Sequence, residues 1–69
     1  MNVNKLGLNI RAERRRQELS QEKLGEMASL STNSINLIEK GRQIPNAVNL
    51  YLIAKALQID INELYKGIE

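Results

Sequence analysis

The stretch that decides the fold is L-S-Q-E-K-L-G-E-M-A-S-L-S-T-N-S-I-N-L-I-E-K-G, residues 19–41. Ser20 and Ser31 each precede a helical pattern, and a serine in that position accepts a hydrogen bond from the free N–H groups of the first turn. The stretch therefore predicts two short helices, the first beginning after Ser20 and the second running from Thr32 to about Lys40. The two residues before Ser31 form the turn, because the second cap leaves no room for a longer loop.

Both helices combine an inward apolar face with polar surfaces. The predicted inward residues are Leu24, Ala28, Ile35 and Ile38, and Gly41 is the expected left-handed residue after the second helix. An exposed row of Thr32, Asn33 and Asn36 is not explained by the core. Such residues have modest helix propensity, and their short donors and acceptors suit a helix that lies in the DNA major groove. By pattern alone, a polar solvated face is an equally good interpretation.

A helix before this stretch is predicted from Leu6, Ile10 and the aliphatic part of Arg14, which recur every four residues up to about Glu18. The cations on its other faces are Lys5, Arg11, Arg15 and Arg16. The run of three arginines at 14–16 is typical of a solvated helix face.

Two helices are predicted after the stretch. Asn46, which follows Pro45, caps the first, whose inward row is Ala47, Leu50, Ile53, Ala54 and Leu57. Asp60 with Glu63 forms a capping-box pattern for a short last helix over residues 61–65, which Gly67 ends. The whole chain is therefore predicted to form one all-α domain of five short helices around an aliphatic core.

Composition excludes several classes of function. Residues 1–69 contain no cysteine and no histidine, so the usual zinc ligands and two of the commonest catalytic groups are missing. No glycine-rich loop resembles a phosphate cradle, and the carboxylates are spread singly. We expect a single domain that is not an enzyme, with no metal, no cofactor and no small-molecule ligand.

Charge and hydropathy bear on partners and location. The longest apolar-rich segment, residues 50–57, is far shorter than the roughly 20 residues that span a bilayer, so a soluble, unprocessed cytoplasmic chain with no membrane partner is expected. The net charge is only +2, but residues 1–42 hold eight Lys/Arg against five Asp/Glu, whereas residues 43–69 hold two against three. The basic part of the chain contains the two-helix stretch.

The chain resembles the Cro and lambda-repressor-like, or XRE-type, helix-turn-helix family over residues 6–65, in the family's order and spacing and without insertion. The segments that carry the resemblance are Leu6-Gly7, Ile10-Arg11, Arg14, L-S-Q-E-K-L at 19–24, L-S-T-N-S-I-N-L-I-E-K-G at 30–41 and P-N-A-V-N-L-Y-L-I-A-K-A-L-Q-I-D-I-N-E-L at 45–64. The resemblance implies a five-helix DNA-binding domain, a helix-turn-helix formed by helices 2 and 3, and double-stranded DNA as the partner.

The resemblance also implies roles for individual residues. The implied DNA-binding positions are Gln21, Ser31, Thr32, Asn33, Asn36, Leu37, Arg42 and Asn46. Gln21 matches a position that contacts the DNA backbone and supports the base-reading residues, while Arg42 and the amides at Asn46 match other backbone contacts. Free N–H groups at a helix N-terminus favour a phosphate on physical grounds as well. Glu39 and Arg14 match a partly buried ion pair between helices 3 and 1.

Three positions depart from the family pattern. Ser29 stands where glycine is usual in the bend, and a positive φ at a residue other than glycine is strained. Gly25 stands where alanine is usual, at a cost of about 1 kcal/mol in helix propensity. Leu37 replaces a polar or basic residue at a reading position, where an apolar side chain suits a thymine methyl group or reads fewer bases.

Two functions are consistent with these observations. The first is a transcriptional regulator, a repressor that binds a palindromic operator as a homodimer, with two recognition helices about 34 Å apart. An apolar patch outside the predicted core is a candidate dimer surface, and its members are Val48, Leu52, Tyr65 and Ile68. The alternative is a protein-interaction module on the same fold, such as an antitoxin or a coactivator-like adaptor.

Overall fold

The computed structural model describes residues 3–68 and contains four α-helices and one 3-10 helix in that range. The helices are α1 (Val3–Arg16), α2 (Gln21–Ala28), α3 (Thr32–Glu39), α4 (Ala47–Leu57) and the 3-10 helix (Ile61–Tyr65). α2 packs on both α3 and α4, and α1 packs on α3, on α4 and on the 3-10 helix. Within residues 3–68 no helix is long and apolar enough to cross a membrane.

The prediction of five α-helices is wrong in its last member. The Asp60 carboxylate accepts a hydrogen bond from the backbone N–H of Asn62, only two residues further on, at 2.8 Å. Glu63 forms an ion pair with Lys66, so the capping box predicted from these residues is not formed. The segment is five residues long and winds as a 3-10 helix, which is the usual form of such short pieces. Gly67 follows it with a φ of 72°.

The predicted N-terminal caps of the three central helices are confirmed. The Ser20 hydroxyl accepts from the N–H of Lys23 at 2.9 Å, and the Ser31 hydroxyl accepts from the N–H of Ser34 at 3.0 Å. The Asn46 side-chain oxygen accepts from the N–H of Asn49 at 2.8 Å. Each cap satisfies one of the free N–H groups of a first turn and fixes where its helix begins.

The core is aliphatic, and it includes almost every predicted inward residue. Its buried members are Leu6, Ile10, Leu24, Ala28, Ile35, Ile38, Leu50, Ile53, Ala54, Ala56, Leu57, Leu64 and Ile68. Ala47 was predicted to face inward but is exposed. The first turn of α4, residues 47–49, contains no buried residue, so contact with the core begins only at Leu50.

A close crossing of α1 and α3 depends on Gly7. A Cβ atom added there would lie 2.3 Å from the carbonyl oxygen of Ile38 and 2.6 Å from that of Glu39. Contacts this short are forbidden between a methyl group and a backbone oxygen, so any larger residue would separate the two helices. This crossing brings the buried face of α1 against the C-terminal turn of α3.

The turn between α2 and α3 has the left-handed bend expected of the motif, with serine at the bend. Ser29 adopts φ 58° and ψ 39°, and the N–H of Leu30 donates to the carbonyl of Gly25 at 2.8 Å. A Cβ atom on Gly25 would lie 2.5 Å from the carbonyl oxygen of Leu30. Gly25 therefore lets the chain fold tightly back on α2, which explains a glycine within a helix.

Candidate nucleic-acid interface

The N-terminal half of α3 presents a polar surface. Ser31, Thr32 and Asn33 are exposed, while Asn36 and Leu37, one turn further on, are half-buried. Within residues 3–68 the side chains of Thr32 and Asn33 form no hydrogen bond, and the Asn36 side-chain oxygen accepts none. The surface therefore offers donors and acceptors that the fold itself does not use.

A hydrogen-bonded chain connects this surface to the inside of the molecule. The Asn36 amide donates to the side-chain oxygen of Gln21 at 3.4 Å, and the Gln21 amide donates to Oε1 of Glu39 at 3.2 Å. Gln21 is the first residue of α2, so its hydrogen bonds join the N-terminus of α2 to α3. Asn36 and Gln21 are half-buried and Glu39 is buried, so the two hydrogen bonds restrict the rotamers of Asn36 and Gln21.

Arg14 and Glu39 form a buried, bidentate ion pair between α1 and α3. Arg14 Nε lies 2.7 Å from Glu39 Oε2, and Arg14 Nη2 lies 3.1 Å from Glu39 Oε1. Arg14 also donates to the carbonyl of Leu19 at 2.7 Å. The side chains are only 10% and 3% exposed, so solvent screens the pair weakly. The pair fixes the angle between α3 and the rest of the domain.

Two further predicted backbone-contacting positions, Arg42 and Asn46, follow α3 in the chain. Arg42 is exposed in the loop between α3 and α4. Asn46 is exposed at the N-terminus of α4, and its side chain caps one N–H group while the N–H groups of the first turn remain available. Such a helix start is a favourable place for a phosphate.

Sequence reasoning missed three cations that lie next to this site. A recess of about 260 Å³ beside α3 is lined by Arg11, Arg14, Arg15, Gln21, Asn36, Glu39 and Lys40. Arg15 belongs to the run of arginines at 14–16, which is typical of a solvated helix face, and Arg11 lies one helical turn before Arg15. Their spacing of four residues was the available signal, since it places both side chains on one side of α1. Lys40 faces them from the C-terminus of α3.

Other cations are held by neighbouring carboxylates. Oε2 of Glu13 lies 2.7 Å from Nη2 of Arg16. The hydrogen bond from Arg16 to Glu13 and the negative charge of Glu13 raise the pKa of the Arg16 guanidinium above its ordinary value. Glu63 raises the pKa of the Lys66 ammonium group in the same way. Within residues 3–68 no cluster of acidic residues suitable for a metal ion is found.

One member of the predicted apolar patch is wrong. Val48 and Tyr65 are exposed and Leu52 is half-buried, but Ile68 is buried at 6% exposure. The N–H of Ile68 donates to the carbonyl of Tyr65, and the left-handed Gly67 turns the chain so that Ile68 packs on the core. Four large apolar residues outside the predicted patch are also exposed, namely Leu8, Met27, Ile44 and Tyr51.

Four α-helices with a tight turn between the second and third, and a polar face on the third, define a helix-turn-helix domain of the lambda-repressor-like type. The chain belongs to the helix-turn-helix family HTH_3, whose model matches residues 10–64. This is a family of DNA-binding transcription regulators. The matched range includes both helices of the motif and the buried ion pair.

Particular members of the family are similar to this chain. Repressor protein C2 of Salmonella phage P22 is 37% identical over 67 residues, which are 97% of this chain and 31% of that protein. The chain thus spans 31% of the length of that repressor.

Two solved structures have the same fold. The P22 c2 repressor in complex with the synthetic operator 9T matches with a TM-score of 0.84 and 37% identity, over 90% of this chain and 94% of that chain. The restriction-modification controller protein C.AhdI from Aeromonas hydrophila matches with a TM-score of 0.88 and 32% identity, over the same shares of the two chains.

Proposed function

We propose that this protein is a sequence-specific double-stranded DNA-binding transcriptional regulator, a repressor that acts in the cytoplasm as a dimer on a palindromic operator. The observation that carries the proposal is the exposed polar start of α3, where Thr32 and Asn33 project from a capped helix and have no partner within residues 3–68. The P22 repressor is 37% identical to this chain, and its solved structure in complex with a synthetic operator supports the proposal.

In this proposal α3 lies in the major groove and its N-terminal residues meet the base edges. Asn36 reads a base with its amide, because Gln21 accepts only one of the two N–H groups of the Asn36 side chain and leaves the other N–H group and the oxygen for a bidentate contact. Thr32 and Asn33 reach neighbouring bases or phosphates. Leu37 is half-buried at the edge of the same surface and supplies an apolar contact, such as one to a thymine methyl group.

The remaining positions orient the domain on the duplex. Gln21 and Ser31 lie at the two helix starts of the motif. Arg42 lies in the loop before α4, and Asn46 caps α4. N–H groups at the capped starts and the Arg42 guanidinium bind phosphates, which fixes register without selecting sequence. Base preference therefore depends on α3 alone.

Selection of bound duplexes from a random pool tests the proposal. We expect a palindrome whose half-sites lie one helical turn, about 10 base pairs, apart. On the selected sequence, Asn36→Ala should weaken binding about 5- to 100-fold, the loss for one bidentate base contact, and relax the preference at one base position. Asn62→Ala is the matched control, because Asn62 is exposed on the 3-10 helix, which packs on α1 and α4.

Failure of the proposal has a defined result. Absence of binding to random duplex DNA at low salt would contradict it, because phosphate contacts alone give measurable non-specific affinity under those conditions. Such a result would favour the protein-interaction alternative.

The dimer is tested separately. Since Ile68 is buried, the apolar patch consists of Val48, Leu52 and Tyr65, and Val48 is the most exposed of them at 65%. Sedimentation at micromolar concentration and on operator DNA should show a dimer, and Val48→Glu should convert it to a monomer because a charge is costly in an apolar interface. Met27→Glu, at an exposed apolar residue on α2, is the control. A wild-type monomer on the operator would contradict the dimer.

A further inference from the structure

Apart from Lys5, which makes an interaction of its own, the Lys and Arg side chains of this chain divide into two groups. Arg16, Lys23 and Lys66 each form an ion pair with a glutamate three residues away. Arg14 is paired with the buried Glu39. Within residues 3–68, the cations that have no ion-pair partner are Arg11, Arg15, Lys40, Arg42 and Lys55. The positions of these unpaired cations are not random.

Four of them line two adjoining recesses beside α3, and we call Arg11, Arg15, Lys40 and Arg42 the α1–α3 basic patch. All four are exposed. Together with Arg14, these four residues are five of the ten Lys/Arg of the chain, and all five line the recesses. Glu39 is the one residue of the eight Asp/Glu that is found in the lining. The lining therefore carries a net charge of +4, whereas the rest of the chain carries −2.

This arrangement opposes folding unless an anion is present. Arg11 and Arg15 lie four residues apart on one face of α1, where like charges repel. Arg14 lies between them in sequence, and its carboxylate partner is already used in a bidentate pair. No further carboxylate lines either recess in the range 3–68. The patch therefore has four positive charges that the protein itself leaves unbalanced.

The position of the patch indicates which anion balances it. Gln21 of α2 and Asn36 of α3 are joined by a hydrogen bond. Both line the same recess as Arg11, Arg15 and Lys40. An extended polyanion in contact with α3 would pass directly over these cations. The sugar-phosphate backbone that borders a major groove is such a polyanion.

We propose that the α1–α3 basic patch binds the phosphates of the DNA strand beside the groove that α3 occupies, so that Arg11, Arg15 and Lys40 are DNA-contacting residues together with Arg42. This inference rests on the proposed function and extends the contact surface from the motif to α1. The patch contributes affinity and orientation, and it does not contribute base preference.

The salt dependence of binding measures these contacts directly. Each phosphate neutralised on B-DNA contributes about 0.9 to the slope of log K against log salt concentration. The double substitution Arg11→Gln and Arg15→Gln should therefore reduce the slope by about 1.8 for each bound protomer. If the variant and the wild type bind equally at 1 M salt, a slope that is smaller by about 0.9 lowers the affinity at 0.1 M salt about eightfold for each lost contact.

The experiment is a salt titration of binding to random duplex DNA and to the selected operator. The Arg11→Gln/Arg15→Gln variant should lose the same fraction of affinity on both duplexes. Its thermal unfolding midpoint should be equal to or slightly above that of the wild type, because the repulsion between the two arginines is gone. Arg11→Lys/Arg15→Lys should retain the wild-type slope, since lysine keeps the charge. Lys55→Gln is the control, because Lys55 is also exposed and unpaired but lies on α4 outside the patch.

The two proposals fail in different ways. If the wild-type protein binds DNA with a salt-dependent affinity but the Arg11→Gln/Arg15→Gln slope equals the wild-type slope, the patch does not bind phosphates and the proposed function stands. An equal loss of slope in Lys55→Gln would also overturn the inference, because it would indicate a general charge effect. If the wild-type protein does not bind DNA at low salt, the proposed function itself fails.

Discussion

Removal of the Glu39 carboxylate tests how the recognition helix is held. Glu39 is 3% exposed in its side chain and accepts three hydrogen bonds, two from Arg14 at 2.7 and 3.1 Å and one from Gln21 at 3.2 Å. In Glu39→Ala the Arg14 guanidinium, 10% exposed, would keep only the carbonyl of Leu19 as a partner. Breaking a buried pair on one side costs about 3–5 kcal/mol.

We expect a loss near the lower limit, about 3 kcal/mol, because Arg14 starts on a surface helix and part of its charge regains water when the carboxylate is gone. For a domain of this size a loss of 1 kcal/mol lowers the melting temperature by about 4–8 °C, so the expected decrease is roughly 12 °C or more. Urea denaturation followed by circular dichroism measures the change, and a constant m-value would show that the compactness of the unfolded state is unaffected.

Two further variants separate the contribution of the buried pair from a general effect of charge. Glu26→Ala removes a carboxylate from the exposed pair with Lys23, whose atoms are 3.8 Å apart, and should change stability by less than about 0.5 kcal/mol. Replacing both partners, Arg14→Met with Glu39→Leu, should recover most of the loss, because apolar residues of similar volume leave no buried charge without a partner. An unchanged denaturation midpoint in Glu39→Ala would refute the reasoning.

The backbone conformation and the close approaches of the glycines give three more predictions, each measured by the same denaturation experiment. Ser29→Gly should raise the free energy of unfolding by a few tenths to about 1 kcal/mol, because φ at Ser29 is 58°. Gln58→Gly should have the same effect, because φ at Gln58 is 56°. A loss of stability in Ser29→Gly would indicate that the Ser29 side chain stabilises the bend. Gly25→Ala should destabilise although alanine gains about 1 kcal/mol of helix propensity, since its Cβ would lie 2.5 Å from the Leu30 oxygen, and a stabilised variant would contradict this. Gly7→Ala should cost about 1–3 kcal/mol by separating α1 from α3, and an unchanged midpoint would mean that the crossing adjusts freely.

The sequence predicted the position of each α-helix closely, because the signals involved are local. Ser20, Ser31 and Asn46 mark helix starts through hydrogen bonds to N–H groups only three residues away. The three- and four-residue spacing of aliphatic side chains predicted nearly the whole core. The last helix was wrong because a segment of five residues is too short for periodicity to distinguish an α-helix from a 3-10 helix.

The candidate site was predicted less completely, because part of it depends on distances between remote residues. The positions of Asn33 and Asn36 on α3 follow from sequence spacing, but the hydrogen bonds from Asn36 to Gln21 and from Gln21 to Glu39 do not. By sequence alone, Arg11 and Arg15 are not distinguished from cations on a solvated helix face. In the fold, Lys40 lies near them, and none of the three has a carboxylate partner within residues 3–68.

The sequence by itself determined the four α-helices, the caps of three of them and the family, since these depend on residues that are neighbours along the chain. Only the tertiary structure decided the role of Gly25, which contacts a carbonyl across the turn, and the burial of Ile68, which depends on the path of the chain after the 3-10 helix. It also decided which cations are balanced by carboxylates. These features depend on the crossing of α1 with α3 and on the closed turn between α2 and α3, which bring together groups that local patterns cannot relate.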